Sequence, residues 1–173
     1  MVKTLKNYIR EIVYGGTDGV VTTFAVVTSA AGANLDVTIV LILGFASLVA
    51  DAFSMGVSAY LSERSEKDST GDSAKFSQIA AVKTGIATFL AFTVVGFVPL
   101  SVYTFDYVFT WELEYTLQIS VGITLGVFAI IGLFRGIITN VNKLRTTLES
   151  FILGSVAAIV AYAAGVFLDK LIS

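Results

Sequence analysis

The chain contains neither cysteine nor histidine. That removes thiol nucleophiles, imidazole bases and Cys/His metal sites at one stroke, and leaves carboxylates, hydroxyls and thioethers as the side chains that can meet a metal ion. Charge is scarce too: 14% of residues are charged, against roughly 25% in a soluble domain. Also missing are internal repeats, low-complexity tracts, a basic stripe for nucleic acid and the alternating polarity of a membrane β-barrel.

What remains is apolar. Hydrophobic residues make up 55% of the chain and the mean hydropathy is +0.85, so the solvent that suits this surface is lipid. Crossing a hydrocarbon core of ~30 Å takes ~20 apolar residues in a helix, which satisfies its own backbone amides where water is absent. Five runs qualify: Ile12 to Ala33, Val37 to Leu61, Ile79 to Val102, Leu117 to Ile138 and Leu148 to Leu168. The expected fold is an all-α integral membrane protein, a single five-helix transmembrane domain over residues 1–173. A cleaved signal peptide is disfavoured, because the first apolar run is too long and contains Asp18.

Basic residues in short loops stay on the cytoplasmic side. Lys3, Lys6 and Arg10 precede the first run; Arg64, Lys67, Lys75 and Lys83 surround the second connection; Arg135, Lys143 and Arg145 surround the fourth. Only Lys170 falls on the other side, which predicts a cytoplasmic amino terminus and an external carboxyl terminus. Lys83 and Arg135 sit near helix ends, where they can snorkel as anchors. The connection Ser62 to Ser73 reads as a polar loop. The third connection carries Asp106, Glu112, Glu114, Tyr103, Tyr107, Trp111 and Tyr115 without a basic residue, as an interfacial aromatic belt would.

Two carboxylates, Asp18 and Asp51, lie well inside apolar runs, where a charge costs about 2.5–3.5 kcal/mol on insertion scales. Helical rise places both about 15 Å from the cytoplasmic ends of their helices. Thr22 and Ser29 share a helical face with Asp18, and Ser47, Ser54, Met55 and Ser58 share one with Asp51. Oxygen ligands with one thioether suit Fe²⁺ or Mn²⁺ better than Ca²⁺, and the same carboxylates can carry protons in exchange. The alternative is packing: Asp18 hydrogen-bonded within the bundle, Met55 filling a gap. Glu149, expected in the first turn of the fifth helix, either complements the helix dipole or meets the arriving ion. Glycines at Gly122 and Gly126, and at Gly132 and Gly136, read as tight-packing positions within the protomer or across a dimer.

The string Tyr14-Gly-Gly-Thr-Asp-Gly-Val-Val-Thr-Thr-Phe-Ala-Val-Val-Thr-Ser-Ala-Ala-Gly-Ala33 resembles the first helix of vacuolar iron transporters, a family that includes the yeast calcium-cross-complementer and nodulin-21-like proteins. The segment from Leu48 to Glu66, with its Ser-Met-Gly core, resembles the second helix, and Gly154 to Gly165 the fifth. The resemblance implies a five-helix homodimer that moves Fe²⁺ or Mn²⁺ out of the cytosol, in exchange for protons, with no resident cofactor. It places Asp18 and Met55 on the translocation path.

Ser58-Ala59-Tyr60 stands where many relatives have an acid, and Asp51 is the residue able to supply that charge. The Glu-rich cytoplasmic domain of larger plant-type members is replaced here by a short connection. Glu63, Glu66, Asp68 and Asp72 either line an acidic funnel or belong to a solvated loop. A membrane enzyme would need a nucleophile with a base, and without His or Cys only Asp/Glu chemistry is left. The competing reading is therefore a non-transporting scaffold or regulator. The short loops favour a prokaryotic cell membrane over a vacuole.

Overall fold

The computed structural model describes residues 9–70, 74–110 and 115–172. Among the described residues five helices follow one another: α1 (Ile9–Gly32), α2 (Val37–Thr70), α3 (Ala74–Phe109), α4 (Thr116–Thr139) and α5 (Lys143–Ile172). No strand occurs among the described residues. Successive helices run antiparallel, which gathers Arg10, Arg64, Lys67, Lys83, Arg135, Lys143 and Arg145 at one end of the bundle, called the basic end below. Lys3 and Lys6 lie outside the described residues.

By length and composition α2, α3, α4 and α5 can each cross a membrane. α1, counted as a fifth span from sequence, falls short on apolarity because it carries Arg10, Glu11 and Asp18 among its glycines and threonines. Its position explains why that is tolerable: it is the central helix and touches all four others, while among the described residues α2 reaches only α1 and α3, and α5 only α1 and α4. The outer helices show lipid-type surface, with Leu153, Ile159, Val160 and Phe167 of α5 each more than 60% exposed. A water-soluble monomer rarely exposes apolar surface on this scale.

Close helix crossings hold α1 in place. A Cβ at Gly19 would run into the backbone of Phe92, and one at Gly96 into the carbonyl oxygen of Gly19, so α1 and α3 meet glycine against glycine. At the other end Gly165 of α5 lies against the Ser29 carbonyl of α1. Three clusters fill the spaces between: Val27, Val40, Leu100 and Tyr103; Val20, Phe24 and Phe128; Leu48, Ala52 and Phe92. In the absence of a hydrophobic drive between helices in lipid, such close packing is what holds them together. Ser120 adds a buried bond from its hydroxyl to the Pro99 carbonyl at 2.7 Å, tying α4 to α3.

Two connections expected as loops are helical. α2 continues to Thr70 because its polar end is laced by i,i+4 pairs: Lys67 with Glu63 at 2.8 Å and Arg64 with Asp68 at 3.7 Å, with Arg64 also donating to the Tyr60 hydroxyl. Such pairs support a helix in water, and at about 1.5 Å per residue the 34 residues of α2 outrun the hydrocarbon core. Asp72 lies outside the described residues. Likewise α3 continues through Tyr103, Asp106 and Tyr107 to Phe109, where Phe105 and Phe109 stack and Asp106 accepts a 2.9 Å bond from the Thr116 hydroxyl. Trp111, Glu112 and Glu114 lie outside the described residues.

Candidate functional site

α1 and α2 bring Asp18 and Asp51 into electrostatic range of each other. Both carboxylates are partly buried, and Asp51 accepts a 2.8 Å bond from the hydroxyl of Ser47, one turn away. Thr22 donates its hydroxyl to the Asp18 carbonyl at 2.9 Å, which leaves the oxygen lone pairs of Thr22 available to a cation. Met55 is one turn from Asp51 toward the basic end and packs beside Leu48, Ala52 and Phe92.

A cavity of ≈ 550 Å³ opens below this pair, on the basic-end side. α1 contributes Arg10, Glu11 and Tyr14 to its wall. α2 contributes Met55, Ser58, Ala59, Ser62, Glu63 and Glu66, and α3 contributes Thr84 and Thr88. Tyr14 is one turn before Asp18 and Met55 one turn after Asp51, so the two carboxylates stand one helical turn beyond the cavity's inner wall. Gly15 makes this three-helix arrangement possible, since a Cβ there would sit 2.9 Å from the Thr88 carbonyl.

The sequence-derived candidates are distributed unevenly over this geometry. Asp18, Asp51, Met55, Ser58, Glu63 and Glu66 follow one path from the cavity to the acidic pair. Ser54 is exposed on α2 and does not line the cavity. Glu63 does line it, paired with Lys67.

Glu149 is elsewhere, at the α4–α5 end, where its carboxylate accepts from Arg145 at 2.9 Å and lies 3.7 Å from Arg135. It is also in the second turn of α5 rather than the first. The helix begins at Lys143 and is capped by Asn142, whose Oδ1 accepts from the amides of Leu144 and Arg145.

Glu11 was not singled out from sequence, yet one of its carboxylate oxygens is buried without a hydrogen-bond partner among the described residues. The signal was present: Glu11 and Asp18 are seven residues apart and so share a face of α1. Thr84 and Thr88 gave no such signal, because nothing in α3 alone shows which face meets α1. Among the described residues no three carboxylates converge tightly enough to hold a metal ion.

A helical bundle with four helices long and apolar enough to cross a membrane, and a polar cavity leading to a pair of carboxylates, defines an integral membrane protein. The VIT family model matches residues 9–77 and 70–166, so the chain belongs to the VIT family. The vacuolar iron transporter of Plasmodium falciparum is 26% identical over 231 residues, covering 97% of this chain and 85% of that protein. Vacuolar iron transporter 1 of Tulipa gesneriana is 23% identical over 218 residues, covering 92% and 87%. The vacuolar iron transporter of Toxoplasma gondii is 46% identical over 65 residues, 38% of this chain and 22% of that protein.

These relatives are transporters and not enzymes, as the lack of a nucleophile–base pair led us to expect. The two family matches meet at residues 70–77, the α2–α3 junction. An alignment of 231 residues against a chain of 173 means that the Plasmodium protein carries residues this one lacks.

Proposed function

We propose that this protein is a divalent transition-metal transporter that moves Fe²⁺ or Mn²⁺ out of the cytosol in exchange for protons. The observation that carries the reading is the Asp18–Asp51 pair at the head of the cavity lined by Glu11, Glu63 and Glu66. Two carboxylates cost free energy at membrane depth, and a divalent cation offsets that cost. The Met55 thioether one turn away favours first-row metals over Ca²⁺. Two acids and one sulfur bind an ion without the closed shell of a structural site, which suits release on the far side. When the ion leaves, protons can take its place on the same oxygens.

The basic end faces the cytosol in this reading, following the distribution of Lys and Arg. The working unit is a homodimer: α2 leaves one face uncovered, and among the described residues a Cβ at Gly122 or Gly126 of α4 would meet nothing within 4 Å, as at positions open to a second copy. The relatives are named for the vacuole and lend no support to the prokaryotic cell membrane that the short loops favoured. Both locations have the metal leaving the cytosol.

Proteoliposomes loaded with a pH dye and a metal indicator test the reading. Fe²⁺ and Mn²⁺ should enter with opposite proton movement and Ca²⁺ should not. Ion flux without any pH change would remove the antiport, and no metal flux at all would favour a scaffold or regulator.

A further inference from the structure

A second and larger cavity lies on the other side of α1. α5 packs tightly on α1 at Gly32 and Gly165 but diverges toward the basic end, and the wedge between α1, α4 and α5 is a groove of ≈ 880 Å³. Its walls are almost wholly apolar, with Val13 and Val21 of α1, Phe128 and Ile131 of α4, and Leu153 and Val156 of α5. Two arginines also line it, Arg10 and Arg135, both at the basic end. Glu149 occupies one edge of Arg135 at 3.7 Å and is itself held by Arg145, so the carboxylate of this cluster is outnumbered by guanidinium groups. Glu11, adjacent to Arg10, lines the cavity on the opposite face of α1 and not this groove.

An apolar slot with cationic groups at one mouth is complementary to a molecule with an apolar tail and an anionic head. We propose that the α1/α4/α5 groove binds an anionic diacyl phospholipid, its acyl chain lying between Val21, Phe128 and Val156 and its phosphate held by Arg10 and Arg135. Charge complementarity selects the headgroup: guanidinium groups pair with phosphate oxygens in forked geometry, and basic pockets between membrane helices gather anionic lipid on the cytoplasmic side. Depth selects the chain, because a free phosphate leaves the apolar walls uncovered. Arg10 also borders the cavity below Asp18, so the lipid phosphate neutralises a cationic group beside the acidic path. The site itself depends on no assumption about transport.

Native mass spectrometry of the purified, delipidated protein with phosphatidylglycerol and phosphatidylcholine of identical acyl chains tests the proposal. Phosphatidylglycerol should bind in preference. Arg10→Gln with Arg135→Gln should weaken it by about tenfold or more, two surface charges' worth, while leaving phosphatidylcholine unchanged. Lys83→Gln, at the same end but outside the groove, should change neither. Equal binding of the two lipids, or an equal loss in the Lys83 variant, overturns the site.

A photo-crosslinker at Val156 in the otherwise unaltered chain gives a test that does not depend on the arginine variants folding. It should transfer to lipid, and phosphatidylglycerol should compete. Transfer to a second copy of the chain would make the groove a protein interface and overturn the proposal.

Discussion

Two carboxylates on one face of α1 have different surroundings and so different tasks. Glu11 borders the cavity and Asp18 lies beyond its inner wall, so in the proposed transport Glu11 would attract cations and Asp18 would bind them. Glu11→Gln should therefore raise the KM for metal by about three- to tenfold while leaving the maximal rate nearly intact, since electrostatic attraction acts on capture. A fall in maximal rate with unchanged KM would place Glu11 on the path itself. Met55→Leu conserves volume, at a packing cost below about 1.5 kcal/mol, so a narrowed preference for Fe²⁺ and Mn²⁺ over Ca²⁺ in that variant would report on the sulfur.

Outside the membrane, the Asp36 carboxylate accepts from the Thr38 amide at 2.8 Å, which holds its pKa below the ordinary value. Its support for the start of α2 is therefore complete above the unfolded pKa of about 3.9 and is lost as pH falls through the lower folded value. The Thr38 amide shift should titrate with a midpoint below about 3.9, and a midpoint at or above it contradicts the bond.

At the scale of elements, glycines in the same helix separate two kinds of contact. Gly132 and Gly136 lie against Thr146 and Lys143 of α5, while Gly122 and Gly126 face open space. Gly132→Leu should destabilise the protomer by about 1–3 kcal/mol or more, read as a lower melting temperature, because the α5 backbone cannot give way. Gly122→Leu should leave that temperature unchanged and reduce dimer yield in membrane cross-linking.

The repeated small-residue pattern was plain in the sequence, but the partner of each pair was not. Identical spacing on one helix says nothing about which face another helix covers. The helix limits show the same division. Apolar runs marked the membrane-spanning centres, whereas the polar end of α2 is held by ion pairs and the end of α3 by the Asp106–Thr116 bond, neither of which changes hydropathy in the direction that marks a helix.

Considered whole, the molecule is a bundle whose central helix is the one least apolar over a membrane-length stretch. The antiparallel order gathers the described basic residues other than Lys170 at one end, and a cysteine-accessibility map should find residue 66 reactive from the cytosol and residue 169 from outside. Both reacting from one side would contradict an odd number of crossings. The acidic pair was legible because a carboxylate in an apolar run stands out. The cavity below it was not, because it is assembled from three helices, and no one helix alone shows which of its faces meets the others.

The central claim is that the Asp18 charge carries the ion, and initial Fe²⁺ and Mn²⁺ flux into proteoliposomes by Asp18→Asn, at matched reconstitution with the parent protein, tests it most directly. The substitution keeps shape and removes charge, so flux of both ions should fall to the level of empty vesicles while the protein stays folded and inserted. Transport of both ions at the parent rate would make Asp18 a structural residue and contradict the account.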